Sequence, residues 1–136
     1  MDDYCDLTME EIKDNPLDNW YGRFPGMFDE YFYESGLAIG RGWFTLVEQM
    51  LEEIYAISPM VRIHQIKEKF GGLRCYCDDE GPFFNQVHQV IVKYEMIAST
   101  TCEKCGATSA KLRTDGWLIT QCDQCYNKIK KSNEGW

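Results

Sequence analysis

From Trp43 onward, apolar and polar residues recur at helical spacing. Trp43, Leu46, Val47, Met50, Leu51, Ile54 and Ile57 advance by three, one, three, one, three and three. Those steps place all seven on one face of a helix. Glu48, Glu52 and Glu53 fall on the other side, and Pro59 stops the run. A second helix is predicted over residues 83–98, with Phe84, Val87, Val90, Ile91, Tyr94, Ile97 and Ala98 on one face. Between the two lies "MVRIHQIKEKFGGLRCYCDD" (60–79). Its Val61, Ile63, Ile66, Leu73 and Tyr76 favour strands, and Gly71-Gly72 favours a turn. The segment therefore reads as two antiparallel strands, about 61–67 and 73–78.

The pattern is weaker elsewhere. A short helix starts at Thr8, where Glu11 completes a capping box. "DNPLDNWYGRFPG" (14–26) carries two prolines and two glycines and reads as irregular chain. "MFDEYFYES" (27–35) fits a helix or a strand, and residues 36–42 read as a loop with three glycines. Near the C-terminus, Lys111–Thr114 and Trp117–Thr120 alternate around Asp115-Gly116, a strong hairpin-turn pair. "CDQCYNKIKK" then reads as helix, with Cys122 and Cys125 in its first turn. The expected fold is α+β: a small helix and β-hairpin domain over 1–99, followed by a cysteine module over 100–136.

Composition changes this picture only through charge and cysteine. No apolar run approaches the roughly 20 residues that span a bilayer, which argues against a membrane partner. The start, "MDDYCDLTMEE", is acidic where a secretory signal would be basic and then apolar. The chain is therefore expected in the cytoplasm, where thiols stay reduced. Residues 1–60 hold thirteen acids and three bases, residues 61–80 four of each, and residues 81–136 five acids and seven bases, for a net charge of −8. The acidic first half disfavours nucleic acid and suits a basic partner surface or plain solubility.

Four of the seven cysteines stand as two Cys-x-x-Cys pairs, Cys102/Cys105 and Cys122/Cys125, with sixteen residues between the pairs. This is the spacing of structural zinc sites. A tight turn lets both sulfurs of a pair point at one centre, and a hairpin brings the second pair back. Zn2+ takes four such ligands in a tetrahedron at about 2.3 Å. Gly106 follows the first pair, where a knuckle needs positive φ. A helix N-terminus favours thiolate at the second pair. Disulfides conflict with the compartment, and a thioredoxin-like redox motif needs a single Cys-x-x-Cys in a βαβ setting. Knuckle, hairpin and ligand-bearing helix follow the treble-clef order, and the segment resembles that motif at Cys102, Cys105, Gly106, Asp115-Gly116, Cys122 and Cys125. Four sulfurs leave no open position, so the metal is expected to be structural.

The other unusual string is "KEKFGGLR" (67–74). Lys67, Lys69 and Arg74 surround the glycines, and Phe70 stands at the turn. Exposed N–H groups beside bases suit an anion, which makes Lys67, Lys69, Phe70 and Arg74 binding candidates. A hairpin with a solvated basic tip, paired with the acidic first half, is the plainer reading. The string is not a P-loop: the Gly-Lys-Ser/Thr ending and the following helix are missing. Cys75 and Cys77 share a strand face and read as small core residues. His88 flanks the apolar stripe of its helix.

"GRGWFTLVEQML", "IHQIKEKFGGLRCY", a helix running into "CEKCG", and "DGWLITQCDQC" together resemble a group of small bacteriophage and prophage proteins. The likeness covers roughly residues 40–126 and is most specific at the hairpin string. It implies phage origin and a metal-bearing tail, and it carries over no catalytic residue. Neither histidine lies within 100–136, and no Ser-His-Asp or Cys-His arrangement is legible, so the expected function is not enzymatic. A zinc-stabilised phage product that engages or inhibits a host protein, such as an antiphage-defence component, is the first expectation. It rests on the acidic first half and the aromatics Trp20, Tyr21, Phe24, Tyr31 and Tyr33. The alternative is a regulatory nucleic-acid-binding zinc protein, using Lys104, Lys111, Arg113, Lys128, Lys130, Lys131 and Trp117.

Overall fold

The computed structural model describes residues 16–78 and 81–134. In chain order the elements are α1 (Leu17–Arg23), α2 (Glu30–Ser35), β1 (Leu37–Ala38), a 3-10 turn (Arg41–Trp43), α3 (Phe44–Ile57), β2 (Ile63–Lys69), β3 (Gly72–Cys77), α4 (Phe84–Ala98), β4 (Lys111–Arg113), β5 (Ile119–Gln121) and α5 (Asp123–Glu134). The fold is α+β, with a three-stranded sheet ordered β1-β2-β3 and a separate β4-β5 pair.

The two long helices form where the periodicity places them. Leu46, Val47, Met50, Leu51 and Ile54 of α3 are buried, and so are Val87, Val90, Ile91, Tyr94 and Ala98 of α4. Phe84 and Ile97 lie at the edge of the α4 stripe and keep 36% and 42% exposure. Helix α3 ends where Ser58 N–H closes on Ile54 O, just before Pro59. The two helices pack on each other, and α4 packs on β3, at one face of the sheet. That face presents Ile63, Ile66 and Leu73, none of them exposed, with Cys75 and Cys77 half-buried against the same core. Glu53 ties the helices at their surface, where it accepts from Lys93 Nζ at 2.6 Å and from the Tyr94 hydroxyl.

The segment 14–26 departs from the expected irregular chain. From Leu17 it forms α1, because Pro16 stands at the N-cap, where a missing N–H costs no helical bond. Trp20 anchors this helix, fully buried, with its indole N–H donating to Glu48 Oε1 at 2.9 Å. Trp20 and Phe24 therefore belong to the core rather than to an exposed surface, and Tyr21 packs against that core. Tyr31 and Tyr33 are the aromatics of this region that stay outside, at 51% and 56% exposure. The ambiguous run 27–35 divides: Phe28 bridges Ile63 in parallel, and α2 follows. Asp29 causes the change by capping α2, its carboxylate accepting from Phe32 N–H at 3.0 Å. The expected loop 36–42 contributes β1, parallel to β2 with Leu37 opposite Ile66. His88 is exposed on α4, stacked on Phe84. The helix start expected at Thr8 lies outside the described residues.

At the far end of the sheet the β2–β3 register shifts between Ile63 and Gln65, and His64 points out of that irregularity. Its Nδ1 meets the Asp29 carboxylate, and its Nε2 lies 2.7 Å from Asp78 Oδ1. A neutral imidazole has one N–H, so only the imidazolium satisfies both carboxylates. The hydrogen bond to Asp29 raises the His64 pKa; desolvation opposes this, and Asp78 adds to it. The clasp is therefore fully present below the unfolded-state value of about 6.5 and is lost as pH rises through the raised folded value. Because all three side chains are partly exposed, its worth is at most about 1 kcal/mol. Thermal melts from pH 6 to 8.5 should show wild-type stability falling relative to His64→Gln. Parallel pH profiles for the two proteins would disprove the clasp.

Candidate metal centre

The knuckle between Cys102 and Cys105 is closed by two backbone bonds. Gly106 N–H donates to Cys102 O, and Cys102 N–H donates to Ala107 O, both at 2.8 Å. Gly106 sits at φ +85°, as a knuckle requires. Strands β4 and β5 return the chain through the pairs Lys111–Gln121, Leu112–Thr120 and Arg113–Ile119. The connection is wider than the two-residue turn expected at Asp115-Gly116, because residues 114–118 all lie beyond the last pair. Helix α5 holds this loop: the Tyr126 hydroxyl donates to Asp115, and the Arg113 guanidinium stacks 4.4 Å from the Tyr126 ring. Trp117 is thereby placed in the loop, at 86% exposure, and not in a strand. Cys122 immediately precedes α5 and Cys125 lies in its first turn. The Cys122 sulfur caps the helix, accepting from Cys125 N–H at 3.4 Å.

These elements bring the four sulfurs within 4.8 Å of one another. Cys105 Sγ and Cys122 Sγ are 3.6 Å apart. That is far beyond the bond length of a disulfide, about 2.0 Å. It is close to the ~3.8 Å edge of a tetrahedron whose centre is about 2.3 Å from each sulfur. All four cysteines are buried, at 0%, 2%, 4% and 0% exposure. The arrangement is that of a four-thiolate metal site in a treble-clef-like module. No family model, curated protein or solved structure matches this chain.

The module is joined to the helices and the sheet at three places. Glu103, between the first two ligands, is the hub of one. Its N–H donates to Thr120 O at 3.0 Å and its carbonyl accepts from Gly42 N–H at 2.8 Å. Its carboxylate accepts from Gly40 N–H, also at 2.8 Å. Burial pushes the Glu103 carboxyl pKa up, partly offset by that Gly40 bond. At the second place, the buried Trp43 indole donates to Thr101 O at 2.8 Å. At the third, Thr120 Oγ1 donates to Gly71 O at 2.7 Å, which seats the β2–β3 turn on β5.

The string 67–74 forms a hairpin, but its turn is not the glycine pair. Phe70 and Gly71 are the two central residues, at φ +56° and +81°, and Gly72 already opens β3. Two positive φ values mark a type I′ turn, which favours Asn-Gly; an aromatic in the left-handed region is strained. Gly71 N–H donates to Glu68 Oε2 at 2.7 Å. A methyl on Gly71 would stand 2.4 Å from Leu112 Cδ1, so the tip lies directly against β4. Phe70 is 68% exposed, with Lys69 Nζ 5.6 Å from its ring centre. Lys67 and Arg74 are cross-strand partners. The hairpin candidates and the cysteines are thus separate groups, linked through Thr120 and Gly71. Glu103, Thr120 and Gly42 were not singled out from the sequence. Only the glycine-rich run before Trp43 signalled a close backbone approach there.

Two outcomes follow. A methyl at Gly42 would stand 2.2 Å from Cys102 O and 2.6 Å from Gly106 N, both backbone atoms of the knuckle. Gly42→Ala is expected to cost on the order of 3 kcal/mol and to speed metal loss to a chelator, read by a colorimetric metal indicator. Phe70→Asn is expected to raise stability by about 1 kcal/mol by relieving the left-handed strain. A lowered melting temperature would refute the strain.

Proposed function

We propose that Cys102, Cys105, Cys122 and Cys125 hold a structural Zn2+ and that the chain is a non-enzymatic, phage-type binding protein engaging a host protein in the cytoplasm. One observation carries the reading. A buried, closed four-sulfur site braces two hairpin tips that expose Phe70, Leu112 and Trp117 at 68%, 49% and 86%. A metal with four thiolates has no position for water or substrate, so its role is to hold the chain. Rigid exposed aromatics beside apolar surface are the usual anchors of protein interfaces. This surface replaces Trp20 and Phe24, which the core absorbs. Among the described residues His64 is bonded to Asp29 and Asp78, and His88 stacks on Phe84. The nucleic-acid reading of the tail loses Arg113, which pairs with Asp123 at 2.7 Å and bonds to Gln121 O.

Native protein should carry one zinc per chain by elemental analysis. Removing the metal should unfold the module, seen as loss of amide-exchange protection over 100–134; binding of about 10 kcal/mol or more is at stake. Immobilised wild type should retain a host protein from bacterial lysate that a Phe70→Ala/Trp117→Ala variant releases. Absence of bound metal would end the zinc assignment, and equal retention by both proteins would end the surface assignment.

A further inference from the structure

We infer that the open face of the three-stranded sheet is a second binding surface, and that it takes single-stranded nucleic acid. The face is defined by register. Ile66 pairs with Cys75 and Glu68 with Leu73, and this set points toward the core. The alternate pairs, Gln65 with Tyr76, Lys67 with Arg74 and Lys69 with Gly72, point the other way. That outer face carries three bases, two aromatics counting Phe70 at its tip, and no acid from β2 or β3. Glu68 stands on the opposite side, engaged by Gly71 N–H.

The bases are placed at a cost. Like charges directly opposite on neighbouring strands repel, and Lys67 faces Arg74. Among the described residues neither they nor Lys69 belong to an ion pair, although Arg23, Lys93 and Arg113 all find carboxylates. A chain with a net charge of −8 has acids to spare for these positions. Asp29 and Asp78, at the far end of the sheet, are engaged by His64. Arg74 Nη1 donates to Leu73 O at 2.9 Å, and a pair of facing bases without an ion pair among the described residues is the arrangement that a bound anion would relieve.

The aromatics select the class of anion. Tyr76 is 42% exposed and Phe70 is 68% exposed. Tyr76 stands four residues along β3 from Gly72, so about 13 Å of strand separates it from the tip. The Lys67–Arg74 pair lies roughly midway between them. Aromatic rings at both ends of a basic patch are a stacking platform for unpaired bases with a phosphate contact between them. The surface shares Phe70 with the proposed protein-binding surface; its bases and Tyr76 are separate from the tail bases and from Trp117. It has three cations and an acidic surround, so binding is expected at low salt and to be strongly weakened by added salt.

The test is fluorescence anisotropy of a labelled twelve-nucleotide oligo-dT against the native, metal-loaded full chain from 20 to 200 mM NaCl. Saturable binding is expected, with log K falling against log salt at a slope of about −2 for three phosphate contacts on a single strand. Lys67→Gln and Arg74→Gln should each weaken binding about fivefold and flatten the slope by about 0.7, without lowering the melting temperature, since each relieves the repulsion. Tyr76→Ala should weaken binding about tenfold, and Tyr76→Phe should keep it. No binding at 20 mM salt, or binding that the Lys67→Gln/Arg74→Gln double variant leaves unchanged, would overturn the inference. Tighter binding of a twelve-residue polyglutamate peptide than of the oligonucleotide would also overturn it, by assigning the face to an acidic protein.

Discussion

Four buried cysteine sulfurs within 4.8 Å of one another can all be thiolates only with a cation among them. The tail has little else to hold it. Among the described residues its core cluster consists of the four cysteines and Ala110, with Ala107 packed against it. A module with so few buried apolar groups does not fold on hydrophobic burial alone. The sulfur cluster is the constraint on which the positions of β4, β5 and α5 depend, and through them the tip of the β2–β3 hairpin.

The constraint spreads through backbone contacts more than through side-chain packing. Glu103 lies between two ligands and uses its N–H, its carbonyl and its carboxylate to join β5 to the Gly40–Gly42 approach. Gly40, Gly42 and Gly71 permit close approach between the two parts, and a Cβ at any of them would meet neighbours within 2.4 Å. Thr120, two residues before a ligand, carries the same constraint to the hairpin. The backbone bonds among them, Glu103 N–H to Thr120 O and Gly42 N–H to Glu103 O, transmit geometry stiffly, since neither partner can rotate away.

The hairpin concentrates the molecule's visible conflicts. Phe70 occupies a left-handed conformation, and Lys67 faces Arg74 across the strands. The core face beneath it is regular up to the register shift at Ile63–Gln65, and Ile63, Ile66 and Leu73 are fully buried. Local rules broken on an exposed, braced element, beside a core that obeys them, mark that element as serving something other than stability.

Much of the architecture was legible because it is periodic. The faces of α3 and α4, the strand pair around the glycines, the knuckle glycine and the four ligands are all set by spacing, which acts over a few residues. Helix α1 was not legible, since the prolines and glycines of the segment 14–26 mask a single anchoring Trp20 whose partner, Glu48, is 28 residues away. The width of the β4–β5 connection depends on Tyr126 and Arg113, which meet only after α5 has formed. The sequence by itself determined the two long helices, the hairpin and which sulfurs would meet. Only tertiary structure decided that Phe70 rather than Gly72 occupies the turn, and that this turn rests on the metal module. That contact joins Gly71 to Thr120 across 49 positions, and no local preference reaches so far along a chain.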